Sequence, residues 1–131
     1  MLGTNDADKS LEQQRGNFIN DYLTLIEWFE ALESKPQIWI VKPPPIFNEY
    51  LGLSIDAFEE EILPYIEKVA NKTNLSVINV HSVLSTQAYF MDGVHPNHSG
   101  ARLIAYVVCN VIILKYPSIP SLRQEELSFL I

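Results

Sequence analysis

Gln37-Ile38-Trp39-Ile40-Val41-Lys42 is a short β-rich run that stops at Pro43-Pro44-Pro45, and it sets the fold class of the chain. Proline lacks the N–H group that a sheet ladder needs, so the strand has to end there. A second run of the same kind, 75–80 (Leu-Ser-Val-Ile-Asn-Val), follows after a helical pattern. Strands that are separated by helices indicate an α/β fold with parallel strands.

Helical patterns precede, separate and follow the two predicted strands. Apolar residues recur at three- and four-residue steps over 18–34, which predicts an amphipathic helix. Ser54 or Asp56 is placed to cap the next helix, and Pro64 inside that helix predicts a kink or a split. A final helix is predicted over about 97–115.

Two strands do not complete such a sheet. Met1-Leu2 running into Gly3 has the pattern of a strand end, so we expect the body of a third strand upstream of residue 1. The polar, aperiodic segment 7–17 predicts a surface loop. The predicted organisation is an N-terminally truncated domain over 1–116 and a C-terminal tail over 117–131.

The composition is that of an ordinary soluble globular protein, and 131 residues suffice for one domain with a core. The net charge of −7 argues against nucleic acid or an anionic membrane as a partner, because either would favour a basic face. Cys109 is the only cysteine, which excludes an internal disulfide. The longest apolar run, 103–114, is shorter than the roughly 20 residues of a membrane span, so no span is predicted.

Asp92-Gly93-Val94-His95-Pro96-Asn97 places an acid and an imidazole three residues apart on one loop. At that spacing the Asp92 carboxylate can accept a hydrogen bond from one ring nitrogen of His95 and leave the other nitrogen free to act as a base. A base needs a nucleophile to activate, and acyl transfer also needs hydrogen-bond donors for the oxyanion.

A second loop, Gly3-Thr4-Asn5-Asp6, offers a side-chain amide of the kind that serves an oxyanion. In this order and on this helix–strand background, the two loops closely resemble two blocks of the SGNH (GDSL-type) hydrolase family, and the resemblance covers about residues 1–115. It implies a flavodoxin-like three-layer α/β/α fold, here cut down to its C-terminal strands and helices. It also implies serine ester hydrolysis, a chemistry that requires no cofactor.

The resemblance implies a role for each matching residue. Asn5 would donate its amide to the oxyanion, and Gly3 belongs to the same oxyanion-hole block. His95 would act as the general base toward the nucleophile and then as the acid toward the leaving alcohol. Asp92 would hold His95 in the required tautomer. The Pro43-Pro44-Pro45 segment and the spacing of the blocks resemble the carbohydrate-acetylesterase branch, which includes sialate O-acetylesterase-like members and implies a small-molecule or carbohydrate ester as substrate.

The family's Gly-Asp-Ser segment, which carries the nucleophilic serine, has no counterpart in this chain. None of the serines stands on such a turn; they are Ser10, Ser34, Ser54, Ser76, Ser82, Ser85, Ser99, Ser118, Ser121 and Ser128. The alternative function is therefore an inactive truncated domain that serves as a binding module, or a gene-model fragment. A sheet edge left uncovered by the missing part would favour homo-oligomers.

Structural roles stay open for the same residues. Asn5 is suited to closing a turn, and Asp92 is suited to capping the bend that Gly93 permits. We interpret Asp6 as structural, because a carboxylate at that position can bond loop amides. Asn97 is predicted to be the N-cap of the last helix.

A zinc site is a further alternative, because His95 and His98 are three residues apart with Asp92 nearby. Pro96 prevents the arrangement on one helical face that such a histidine pair usually uses. His81 has no glutamate motif beside it. We therefore predict no metal site.

Overall fold

The computed structural model describes residues 1–49 and 51–115, so the predicted tail at 117–131 lies outside the described residues. The extent of the domain over 1–116 stays a prediction. Helices and strands alternate along the chain, which confirms a mixed α/β fold. The helices and strands are α1 (Phe18–Glu30), β1 (Ile40–Lys42), α2 (Ile55–Ala57), α3 (Leu63–Thr73), β2 (Val77–Asn79) and α4 (His98–Lys115).

The two strands pair in parallel, as predicted, through a register that joins Ile40 to Val77 and Val41 to Ile78. Alternate side chains of a strand point to opposite faces of the sheet. Ile40 and Val77 accordingly belong to one apolar cluster, and Val41 and Ile78 belong to another. The sheet therefore separates two packing layers.

Helices α1 and α3 cover the first face of the sheet. The buried residues that share this cluster with Ile40 include Phe18, Tyr22, Ile26, Ile62, Ile66 and Val69. They recur at three- and four-residue steps, which gives each helix one apolar stripe against the sheet. This layer contains most of the buried core.

Helix α4 covers the second face, where Leu103, Val107 and Val111 pack beside buried Ile78 and Phe90. Its 18 residues have a mean hydropathy of 1.2, so length and composition alone would allow it to cross a membrane. Gly100 is the only buried residue of α4, so the helix packs one side on the sheet and leaves its other side accessible.

The second predicted helix changes its geometry just before Pro64, where the sequence predicted a kink or a split, and it stays helical on both sides. Leu63 donates its N–H to the carbonyl of Phe58, five residues earlier, and Phe58–Ile62 is π-helical between α2 and α3. Proline has no N–H for the carbonyl four residues before it, so the wider turn fits the first turn of α3 to Pro64. Of the two predicted caps, Ser54 is the one used: its hydroxyl accepts the N–H of Ala57 at 3.1 Å.

The prediction of a surface loop over 7–17 is wrong for two residues. Ala7 and Arg15 are buried, and three short 3₁₀ turns replace an open loop. Arg15 donates to the carbonyl of Asp8 at 3.1 Å, and its Nε lies 3.4 Å from a carboxylate oxygen of Glu61. A buried charge is stable only with such partners, and here they come from distant parts of the chain as well as near ones.

Met1-Leu2 does not form the strand end that the sequence predicted. The described sheet has two strands, and both Met1 and Leu2 are exposed. A strand needs a neighbouring strand for its backbone hydrogen bonds, and none lies beside these residues in the described part of the chain. Self-association through a sheet edge stays a prediction.

Candidate active site

The loop that carries Asp92 and His95 is closed at its base by backbone hydrogen bonds. Met91 donates to the carbonyl of His95 at 2.9 Å, and Phe90 forms an antiparallel bridge with Pro96. The loop is also anchored from outside, because Phe47 donates to the carbonyl of Gly93 at 2.7 Å. These bonds fix the backbone on both sides of His95.

Asn97 joins this loop to helix α4. Its side-chain oxygen accepts the N–H of Gly100 at 3.0 Å, which confirms the predicted N-cap. Its side-chain amide donates to the carbonyl of Ala88 at 2.8 Å, and its backbone N–H donates to the carbonyl of Tyr89 at 2.8 Å. The start of α4 and the base of the loop therefore share one residue.

The Asp92 carboxylate uses both oxygens to organise the loop. Oδ1 accepts the backbone N–H groups of Val94 at 2.9 Å and His95 at 2.7 Å. Oδ2 lies 2.7 Å from Nδ1 of the His95 ring. The capping role and the imidazole-orienting role, which the sequence left as alternatives, thus coexist in one side chain.

The His95 ring is placed to act as a base. With Nδ1 hydrogen-bonded to Asp92, the other ring nitrogen is available as a proton acceptor. The His95 side chain is 61% exposed, whereas the Asp92 side chain is 26% exposed, so the carboxylate lies behind the imidazole. This is the geometry of an oriented general base, with its basic nitrogen accessible to a substrate.

Gly93 allows the loop to turn between the two residues. Its φ is +86°, a left-handed conformation that L side chains rarely adopt. A Cβ at this position would lie 2.7 Å from Cβ of Asn48 and 3.3 Å from the carbonyl carbon of Phe47. The turn therefore requires glycine for two independent reasons.

Asn5 and His95 line one cavity of about 190 Å³, which we call the Asn5–His95 cavity. The loops that carry them are 90 residues apart in the chain, and the structure brings them to the same surface. The cavity is lined by Asn5, Asp8, Leu51, Leu53, Val94 and His95. Asn5 and His95 therefore border a shared space with apolar walls.

Gly3 has a packing role. Its φ is +121°, and a Cβ there would lie 2.9 Å from Cγ2 of Ile62 and 3.1 Å from Cδ1 of Ile66. Gly3 is buried against α3 and is not among the residues that line the Asn5–His95 cavity. Its assignment to an oxyanion hole stays a prediction.

Four lining residues of the cavity were not singled out from the sequence as functional: Asp8, Leu51, Leu53 and Val94. Asp8 and Leu53 meet through an antiparallel bridge between segments 45 residues apart, and Lys9 donates to the carbonyl of Gly52 at 3.0 Å. No local pattern announces such a pairing. Only the apolar character of Leu51 and Leu53 in a loop could have drawn attention to them.

Asp6 lies on a different surface, in a cavity of about 220 Å³ that it shares with Asp21, Phe18 and Tyr22. Partial burial, together with the charge of Asp21, raises the pKa of Asp6 above its usual value.

The described residues contain no group of three or more His, Cys, Asp or Glu side chains arranged to hold a metal ion. His81 instead pairs with Glu59 at 3.1 Å, away from the His95 loop.

Hydrogen bonding lowers the pKa of Asp92 from 3.8 to about 2; the backbone N–H of His95 contributes most, followed by the His95 ring and the N–H of Val94. A carboxyl whose pKa is lower in the folded state stabilises the fold above its unfolded-state pKa and loses that contribution as the pH falls toward the folded value. The urea midpoint of the wild type should therefore drop between pH 4 and pH 2, and Asp92→Asn should flatten this drop. Glu12→Gln, a change at an exposed carboxylate, is the control and should reproduce the wild-type curve. An Asp92→Asn curve as steep as the wild-type curve would contradict the assigned hydrogen bonds.

No protein-family model matches the chain. A curated acetylxylan esterase from Xylanibacter ruminicola is 25% identical to it over an alignment that covers 85% of this chain and 27% of that enzyme. The chain thus spans about a quarter of the length of the curated relative that it matches. This distant similarity supports an esterase function in general terms and does not distinguish one esterase family from another.

Proposed function

We propose that this chain carries the acid–base half of a serine ester hydrolase of the SGNH (GDSL) type. One observation carries the proposal: His95, whose ring is held by Asp92 at 2.7 Å, lines the same cavity as Asn5. Ester hydrolysis needs both a base and an oxyanion donor within reach of one carbonyl. The similarity to an acetylxylan esterase supports the same class of reaction.

Each residue has one role in the proposed reaction. The free ring nitrogen of His95 takes the proton from a serine hydroxyl as the serine oxygen bonds to the ester carbonyl carbon. The Asn5 amide donates a hydrogen bond to the carbonyl oxygen as it gains negative charge, and Asp92 stabilises the imidazolium. The ester C–O bond then breaks, His95 protonates the departing alcohol, and water hydrolyses the acyl-enzyme by the same steps.

The substrate that we propose is an ester of a small acyl group, such as acetate, on a carbohydrate. A cavity of about 190 Å³ suits a short acyl chain better than a long one. The matched relative is named for an acetylated carbohydrate, acetylxylan, which supports this substrate class.

The parent fold that we propose is the three-layer α/β/α sandwich of that family. Helices α1 and α3 on one face of the parallel sheet, with α4 on the other, support it.

We propose that the nucleophilic serine lies outside the described residues. Within residues 1–49 and 51–115, the Asp92 carboxylate is the only side chain hydrogen-bonded to the His95 ring. The proposal therefore places the serine outside these residues. The alternative role, an inactive domain that acts as a binding module, is favoured by the same observation.

Covalent labelling separates the two roles. The native protein should react with a fluorophosphonate probe, and mass spectrometry should place the label on a serine in a Gly-Asp-Ser segment outside residues 1–115. The same preparation should hydrolyse p-nitrophenyl acetate with an initial burst, which reports the acyl-enzyme. A native protein that neither reacts with the probe nor hydrolyses the ester would favour the binding module.

A further inference from the structure

The lining of the Asn5–His95 cavity includes a charged residue, Asp8, in addition to the proposed catalytic residues and the apolar ones. Leu53 and Val94 are buried beside it and give it an apolar surface. Asp8 stands in the same lining as His95 and has no part in the proposed acid–base chemistry. A carboxylate in the wall of an ester-binding cavity affects which alcohol groups can enter it.

The two carboxylate oxygens of Asp8 have different surroundings. Oδ1 accepts the backbone N–H of Ser10 at 2.8 Å and its hydroxyl at 2.7 Å. Among the described residues, Oδ2 accepts no hydrogen bond. One oxygen thus holds the turn, while the other is free to accept a hydrogen bond from a ligand.

The Asp8 carboxylate forms no ion pair within residues 1–49 and 51–115. Lys9 forms an ion pair with Glu49 at 2.9 Å, and Arg15 donates to the backbone carbonyl of Asp8 and lies beside Glu61. Hydrogen bonds from Ser10, first from its side chain and then from its backbone, lower the pKa of Asp8. Asp8 is therefore an anion at neutral pH.

We infer that Asp8 is a specificity-determining residue of this cavity. Its Oδ2 accepts a hydrogen bond from a hydroxyl on the alcohol part of a neutral ester, and its charge disfavours esters whose alcohol part is anionic. This inference rests on the proposed function and adds to it the charge class of the substrate. A sugar presents neighbouring hydroxyl donors of the required kind, whereas a uronic acid adds a repelling carboxylate.

Two matched probes test the inference by binding to the full chain, without need of turnover. One is a neutral acetylated methyl xyloside, and the other is the acetylated methyl glucuronoside, which differs by a carboxylate on the ring. Amide NMR signals of Asn5, Val94 and His95 report occupancy of the cavity. The wild type should bind the neutral probe about fivefold more tightly than the anionic probe at low salt, as expected for charges a few ångströms apart in water.

Asp8→Asn should bring the two dissociation constants close together and weaken binding of the neutral probe by about threefold to tenfold. Ser10→Ala is the matched control, because it removes a hydrogen bond to Oδ1 and keeps the charge and Oδ2 of Asp8. Ser10→Ala should preserve the fivefold preference for the neutral probe. That result would separate the effect of the Asp8 charge from the effect of the turn that Asp8 stabilises.

Three outcomes would overturn the inference. They are an unchanged preference in a folded Asp8→Asn variant, a preference that Ser10→Ala also abolishes, and the absence of shifts at the cavity with either probe. The labelling experiment on the native protein judges the esterase proposal separately. A labelled, active esterase whose Asp8→Asn variant keeps the charge preference would refute the role of Asp8 alone.

Discussion

Under the proposed mechanism, replacing His95 by alanine should lower kcat/KM of the native protein for p-nitrophenyl acetate by about 10³- to 10⁴-fold. The imidazole to which we assign the proton transfer is then gone, while the cavity around Asn5 is kept. Asp92→Asn should cost about 10³-fold or more, because an amide cannot stabilise the imidazolium and favours the wrong tautomer. Initial rates over a substrate series measure both effects.

The matched control is the second histidine–carboxylate pair of the chain. His81 lies 3.1 Å from Glu59 and lines a different cavity, with Lys42 and Glu67. His81→Ala should leave kcat/KM within about twofold of the wild type, as for a site that shares no partner with the reaction. Equal losses from His81→Ala and His95→Ala would point to a general effect on folding and would remove the support for a base at His95.

Gly93→Ala should lower the free energy of unfolding by about 3 kcal/mol, the sum of a forced left-handed backbone and an overpacked contact. The added methyl group would lie 2.7 Å from Cβ of Asn48, and the φ of +86° cannot relax without moving the bonded loop. Phe47 holds that loop through the carbonyl of Gly93. Urea denaturation followed by circular dichroism measures the change.

Gly16→Ala is the control for this prediction, because a Cβ at Gly16 would meet nothing within 4 Å. It should change the free energy of unfolding by less than about 1 kcal/mol. If Gly93→Ala proved as mild as Gly16→Ala, the tight approach of the loop to Asn48 would be wrong. The contrast between the two glycines thus tests the site geometry without any substrate.

The order of helices and strands was predictable from the sequence because it depends on local patterns. The apolar steps from Phe18 onward and the proline stop after Lys42 are visible along the chain. The length of each strand was not, because pairing sets it: β1 and β2 share three residue pairs, so the flanks of each predicted run stay outside the sheet. Burial of Arg15 also escaped prediction, since Glu61 neutralises it from a distant helix.

In the candidate site, too, features that depend on local sequence were predictable and features that depend on tertiary contacts were not. The Asp92–His95 hydrogen bond spans three residues on one loop, so spacing alone could predict it. The apolar and charged walls of the cavity depend on the bridge between Asp8 and Leu53, which no pattern within either segment specifies. Contacts between residues of one loop were therefore predictable from the sequence. Contacts between segments that are distant in the chain were not.

Three of the hydrogen bonds of Asn97 have a consequence for the lifetime of the site. They connect the first turn of α4 to Ala88 and Tyr89, at the base of the loop that holds the imidazole. Because these bonds share one residue, we expect the helix start and the loop to open together as one cooperative unit. The free energy of that local opening would then set the fraction of time that His95 remains oriented.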